Sequence, residues 1–219
     1  MMRETIEWLI CLLLWQTGTL TVSRDKPFQL ASGNYSPLYV NCRLLISAPE
    51  ARNLITASAV QTVNQWGIQP QCIAGGETAG IPFAAWLAHD MALPMVYVRK
   101  RPKKHGLGSQ VEGSLEPGTN VLLFEDLITD GRSKIAFVDA IRGVGAGVAS
   151  CLVVFDREQG GAELLQQHGV TLVAMAGLST CLAVGTNAGY LSTESRESVE
   201  EYRQDPQTWH ARRGYAYNP

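Results

Sequence analysis

The sequence predicts an α/β protein with a doubly wound, mostly parallel sheet and helices on both faces. Three observations carry this. Between residues 71 and 175 apolar runs alternate with helical segments of about a dozen residues, which is the order of parallel strands joined by crossover helices. Several of those runs lead directly into Gly-rich or polar loops and then into a helix start, the positions where open parallel sheets bind ligands. At 219 residues with 46% hydrophobic content, the chain is long enough to fill the core such a sheet requires.

Taken in order, the apolar run Trp8 to Trp15 reads as a buried helix ending near Gly18. A secretory signal is the alternative, but Glu4 and Glu7 precede the run and no convincing small-residue cleavage site follows. The run is also too short to span a bilayer. Thr19 to Val22 reads as a short strand, and residues 25–47, punctuated by Gly and Pro, read as strands joined by turns. Pro49 opens a helix that stops before Gly67. Then come strand 71–76, helix 81–91, strand 94–100, a basic and Gly-rich loop, strand 121–125, helix 133–142, strand 149–155, helix 161–168 and strand 170–175. A charged helix from Ser192 runs to Pro206, and Trp209, Tyr215 and Tyr217 predict that part of the tail docks on the body.

The formal net charge of −2 provides no general attraction to nucleic acid or to an anionic membrane, so anion binding must come from a local cluster. The five cysteines are odd in number, widely spaced and mostly in apolar segments, as reduced core thiols are, which points to the cytoplasm. With no C-x-x-C pair and with His89, His105, His168 and His210 scattered, a metal site is disfavoured.

Three strand-to-helix loops are candidates for chemistry. In "VLLFEDLITDGRSK" (121–134), the N-H groups and hydroxyls from Thr129 to Ser133 can converge on a phosphate at a helix start. Glu125 and Asp126 stand before it as acceptors for vicinal hydroxyls, so a phosphorylated sugar with a divalent cation fits both halves; the plainer alternative is that the acids cap the helix. "GGETAG" (75–80) is a second such loop, whose glycines let a ligand approach the backbone. "YVRKRPKKHG" (97–106) gathers Arg99, Lys100, Arg101, Lys103, Lys104 and His105, a density suited to a polyanion and, with its Gly-rich continuation, to a mobile lid. By contrast "GVGAGV" (143–148) follows a helix and precedes a strand, the reverse of a dinucleotide-binding turn, and His168 before Gly169 reads as a helix C-terminal residue.

Together these strings resemble the orotate phosphoribosyltransferases, of the type I phosphoribosyltransferase fold. "VLLFEDLITDGRSK" is similar to the family's phosphoribosyl diphosphate (PRPP) signature. "FQLASGNYSPLYVNCR" (28–43), "TAGIPFAAWLA" (78–88), "VRKRPKKHGLGSQVEG" (98–113) and "FDRE" (155–158) point to orotate as the base. The resemblance implies a single phosphoribosyltransferase domain over 1–219, with a small hood largely from 1–47, a core over about 49–190, and a C-terminal helix and tail at 192–219. It implies transfer of the phosphoribosyl group from PRPP to orotate, giving orotidine 5'-monophosphate, with Mg²⁺, in a cytoplasmic homodimer whose subunits share active sites. A transferase for another base and a non-catalytic PRPP-binding regulator are the alternatives. The PRPP-binding set it implies is Arg99, Lys100, Lys103 and His105 on the diphosphate, with Glu125, Asp126, Leu127, Ile128, Thr129, Asp130, Gly131, Arg132 and Ser133 on the ribose and 5-phosphate. Lys103, Glu125 and Asp126 are the expected catalytic residues, and Thr129, Arg157 and Tyr39 the expected orotate contacts. Four positions depart from the family pattern: Ala31, Tyr35, Asp130 and Arg132.

Overall fold

A computed structural model describes residues 2–30, 32–102 and 110–218. The first helix, α1 (Met2–Gln16), buries Ile6, Ile10 and Leu14 at successive turns together with Cys11 and Trp15, while Trp8 and Leu9 face outward. The spacing puts the apolar run on one face, as expected of a buried helix. After α1 come β1 (Leu20–Val22), β2 (Phe28–Gln29), β3 (Tyr35–Ser36) and β4 (Leu38–Val40), which pair as two small antiparallel ladders, β1 with β4 and β2 with β3. These ladders fall within residues 1–47, the segment expected to supply most of a hood. Residues Cys42–Ser47, expected among the strands and turns, are instead a 3-10 helix that carries the chain into α2 (Pro49–Gln65).

The core sheet has six strands: β5 (Cys72–Gly76), β6 (Met95–Val98), β7 (Val111–Glu112), β8 (Asn120–Ile128), β9 (Gly147–Asp156) and β10 (Thr171–Gly177). Their order is β10-β9-β8-β5-β6-β7, parallel throughout except for β7, which pairs antiparallel with β6. Helices α3 (Gly80–Asp90), α4 (Arg132–Gly143) and α5 (Gly161–Gln167) connect them. Alternate strand residues serve two cores. Ile73, Leu122, Phe124 and Val154 pack with α1, α2 and α3 on one face, whereas Ala74, Leu123 and Val153 pack with Phe137, Ile141 and Leu165 of α4 and α5 on the other. Both faces are covered, which is why the strands read as unbroken apolar runs.

Chain order reverses between β5 and β8: the sheet grows to β6 on one side and to β9 and β10 on the other. This is the switch point, where the loops after two neighbouring strands diverge and open a crevice at their carboxyl ends.

Three elements were absent from the expected order: β7, α6 (Leu178–Asn187) and α8 (Pro206–Arg212). The sequence of α6 has no charged face because it packs on α1, β10 and α7 (Thr193–Gln204) together, and its Gly185 leaves room for the Trp15 ring. Pro206 ends α7 but also starts α8, whose first turn is capped by Asp205 accepting from the Thr208 N-H at 2.9 Å. The tail docks as expected. Trp209 is buried, Tyr215 stacks on Tyr35 at 4.4 Å, and Asn34 exchanges two hydrogen bonds with the Asn218 backbone, at 2.7 and 2.8 Å. Buried His210 accepts the Tyr35 N-H at its Nε2, 2.9 Å away, so Tyr35 serves to join tail and hood.

Candidate active site

The strand expected at 121–125 continues to Ile128, so Glu125 and Asp126 both lie within β8. Neighbouring residues on a strand point to opposite faces. Glu125 follows Leu123 to the α4 face and is buried, with Oε1 accepting the Gly76 N-H at 2.8 Å and Oε2 accepting from Lys134 Nζ at 2.8 Å. Asp126 follows Phe124 to the hood face, half-buried, and among the described residues it has no hydrogen-bond or ionic partner. Strand parity thus gives the two acids different surroundings: Glu125 is engaged in a buried ion pair and Asp126 is left open, while both border the same cleft.

Burial raises the Glu125 pKa above the usual carboxylate range although Lys134 pulls the other way. For Lys134 burial favours the neutral form, but the charge and hydrogen bond of Glu125 outweigh it and hold the pKa above the usual lysine value. Lys134 was not among the expected site residues. Its sequence signal is a cation in the first turn of a helix, where the macrodipole disfavours it.

Beyond β8 the loop turns at Gly131, whose φ of 81° suits glycine and whose backbone lies against Gly161. The Arg132 N-H donates to Asp130 Oδ1 at 3.1 Å, and the Arg132 guanidinium sits 3.4 Å from Asp130 Oδ2. The two departures from the family pattern thus neutralise each other. Among the described residues the N-H groups of Asp130, Gly131 and Ser133 have no protein acceptor, so a loop of free donors remains at the start of α4. Leu127 and Ile128 are the strand residues that lead into it; Ile128 is buried, and Thr129 is half-buried.

Across the switch point, Glu77 accepts the Lys100 N-H at 2.9 Å, which ties the loop after β5 to the basic segment after β6. Arg99 pairs with Glu112 of β7 at 3.6 Å. Lys103 and His105, and likewise Ala31, lie outside the described residues. An open cleft at the strand ends is lined by Glu77, Lys100, both acids Glu125 and Asp126, Ser133, Lys134 and, from the 3-10 helix below the hood, Arg43. Arg43 was also missed; it is an exposed cation inside a segment quoted for its apolar and Gly-Pro pattern.

Arg157 follows β9, with its N-H bonded to the Ile128 carbonyl at 3.0 Å. Its guanidinium Nε is buried and has no hydrogen-bond partner among the described residues, and burial draws its pKa below the usual value, against the pull of Tyr202 and Cys42. Burial pushes the Cys42 thiol well up, Asp126 adds to the shift, and Lys134 and Arg157 oppose it, so Cys42 lies within electrostatic reach of the open acid and the unpaired cation alike. The next residue, Glu158, accepts from the Ser179 N-H at 3.1 Å, the Ser179 hydroxyl at 2.5 Å and Arg203 at 2.5 Å, which anchors the turn that carries Arg157. Tyr39 is half exposed on β4, its ring 5.5 Å from that of Phe28, and is not among the residues lining the cleft around Asp126. His168 closes α5, as its sequence context suggests.

Residues 45–171 match the family described as phosphoribosyl transferase domain. The chain is 43% identical over 210 residues to the orotate phosphoribosyltransferase of Ruegeria sp. (strain TM1040), covering 94% of this chain and 93% of that one. The crystal structure of orotate phosphoribosyltransferase from Aeropyrum pernix superposes with a TM-score of 0.71 at 29% identity, covering 84% of this chain and 99% of the other. That of the Mycobacterium tuberculosis H37Rv enzyme in complex with PRPP superposes with a TM-score of 0.64 at 25% identity, covering 80% and 98% of the two chains.

Proposed function

The chain belongs to the orotate phosphoribosyltransferases, enzymes of pyrimidine biosynthesis, and from that membership we propose how its own residues join orotate to PRPP. Asp126 accepts hydrogen bonds from the ribose hydroxyls and, as an open carboxylate beside the anomeric carbon, favours the positive charge that grows there as pyrophosphate leaves. The free N-H groups of Asp130, Gly131 and Ser133 hold the 5-phosphate at the start of α4, with the Thr129 and Ser133 hydroxyls beside them. Lys100 and Arg99, with Lys103 and His105, receive the diphosphate, and Lys103 stabilises the leaving group. Arg157 takes the orotate carboxylate, with Thr129 and Tyr39 nearby. The enzyme acts as a cytoplasmic homodimer whose basic segment completes the neighbour's site. Among the described residues no helix is long and apolar enough to cross a membrane.

Mg²⁺ fits this arrangement as a companion of the substrate. Among the described residues no three His, Cys, Asp or Glu side chains cluster to hold a cation, whereas Asp126 is an open carboxylate in the cleft. An ion held by phosphate oxygens, water and one carboxylate needs no more. When bound it supplies charge neutralisation on the diphosphate.

The observation that carries the reading is the buried guanidinium nitrogen of Arg157, without a hydrogen-bond partner among the described residues, on the residue that follows β9 and whose N-H is bonded to Ile128 at the end of β8. A buried cation without an acceptor is costly unless a ligand provides one, and a planar carboxylate matches it. The test is pyrophosphate release from PRPP and Mg²⁺ with a panel of bases. Release is expected with orotate; release with uracil or hypoxanthine but not with orotate would overturn the assignment.

A further inference from the structure

Three features of Lys134 need a common explanation. It occupies the third residue of α4, where the helix dipole opposes a cation. It is 7% exposed and Glu125 4% exposed, and burying two charges in this way is not by itself a source of stability. The pair is also sterically enclosed: a Cβ on Gly76 would meet Phe137 and Glu125 Oε1, and one on Gly80 would meet Glu125 and lie 2.9 Å from the Phe124 carbonyl oxygen. The chain has kept two residues free of side chains so that one carboxylate can reach across the switch point from β8 to β5.

We propose that Lys134 is a positioning residue for the transfer reaction: it holds Glu125 against the Gly76 N-H, which fixes the carboxylate and the loop after β5 at the floor of the cleft. The inference rests on the reading above, since it concerns the site in which PRPP is bound. Its logic is mechanical. Glu77 begins the loop whose entry Glu125 secures, and Glu77 in turn accepts the Lys100 N-H. The chain Lys134, Glu125, Gly76, Glu77, Lys100 therefore links the phosphate-loop helix to the basic segment after β6. Asp126 on the same strand, Cys151 on β9 and Cys42 below the hood are the other titratable groups that feel the pair.

The test uses the full-length enzyme and the variants Lys134→Met, Glu125→Gln and Lys134→Met/Glu125→Gln, with steady-state constants for both substrates between pH 6 and 9. Lys134→Met strands a carboxylate in the interior. Its kcat/KM for PRPP is expected to fall about 10-fold or more. The loss should deepen as rising pH ionises Glu125, and KM for orotate should stay within about twofold of the original. The double variant buries no charge, and its amide oxygen can still accept the Gly76 N-H, so most of the loss is expected to return. A role confined to folding stability would lower the thermal midpoint without a pH-dependent split between the two substrates. Unchanged constants for PRPP in Lys134→Met overturn the proposal, as does a double variant no better than the single one. If Lys134→Met does not fold, the double variant decides: its kcat/KM for PRPP must exceed that of Asp126→Asn by about 10-fold or more, and otherwise the proposal fails. A parental enzyme that releases no pyrophosphate with orotate counts against the choice of base. PRPP binding measured by calorimetry on the same variants then reads the positioning role, lost affinity in Lys134→Met supporting it and equal affinity refuting it.

Discussion

Replacing Gly80 by Ala, an exchange that normally favours a helix, is expected to destabilise this protein. The added Cβ would stand 2.9 Å from both Glu125 Cδ and the Phe124 carbonyl oxygen, and closer still to Glu125 Oε1. The end of a long side chain often swings away at little cost, but this carboxylate is held at 2.8 Å by the Gly76 N-H and at 2.8 Å by Lys134 Nζ. Making room for the methyl group means breaking a buried ion pair, which costs about 3–5 kcal/mol. The helix propensity gained by Ala over Gly offsets about 1 kcal/mol of that. The net loss is about 2–4 kcal/mol, which in a chain of this size lowers the melting temperature by roughly 5–15 °C. Thermal and urea unfolding followed by circular dichroism measure it. Gly143→Ala is the control, because that glycine ends α4 with nothing within 4 Å of the added atom. If Gly80→Ala unfolds within about 1 kcal/mol of the parent, beyond which large single-site losses require a specific mechanism, the carboxylate is not clamped and the account of Glu125 is wrong.

Arg157→Gln should raise KM for orotate about 10- to 100-fold, the worth of one charge-assisted contact, and leave PRPP affinity nearly unchanged; steady-state kinetics with each substrate varied separates the two. Asp126→Asn should cut kcat/KM for PRPP by a similar factor, and mixing its subunits with Lys103→Ala subunits should restore activity if the basic segment serves the neighbouring site, so a mixture as inactive as its components would refute sharing. Cys151 is pushed up to about 12, chiefly by burial, with Glu125 adding and Lys134 opposing. A thiol raised above its unfolded value of about 8.5 binds more protons folded than unfolded, so stability should fall as pH rises from about 8.5 towards the folded value, by up to about 1.4 kcal/mol per pH unit for this one group. Burial raises Cys42, Cys72 and Cys181 as well, so urea midpoints measured from pH 7 to 10.5 should fall at least that steeply, and Cys151→Ala should remove one group's share of the slope. All five cysteines are buried, so the native protein should resist a thiol reagent at pH 8 that labels every one after unfolding.

The elements of the core were legible because each obeys one rule at a time. The strands of a parallel sheet are apolar on both faces, and the helices α2, α4 and α7 begin or end at Pro, Gly or a polar cap. The elements that escaped notice obey two rules at once. Helix α6 meets α1, β10 and α7, so it shows no polar face from which a helical period could be read. Pro206 terminates one helix and begins another, and its position alone does not say which. The 3-10 helix at Cys42–Ser47 buries Cys42 and Leu45, spaced as a tight turn spaces them, and six mostly apolar residues are too few for that period to stand out in the sequence.

For the site, the difficulty lay in parity. Two acids in succession suggest two hands on one ligand, and the sequence does not show that both lie within the strand, with different neighbours. Once β8 is seen to run through Ile128, the period of two applies, and adjacency becomes a statement about opposite faces. The sequence already held the complement: Lys134 lies nine residues after Glu125, in the one turn of α4 where its charge would otherwise be unfavourable, and Gly76 and Gly80 stand where any side chain would displace the carboxylate. A cation placed against its helix dipole, two glycines opposite an acid and a strand that outlasts its apolar run are separately weak signals. They point the same way only when the switch point brings β5, β8 and α4 together, and there Glu125 is held by Gly76 and Lys134 while Asp126, on the same cleft, has no hydrogen-bond or ionic partner among the described residues.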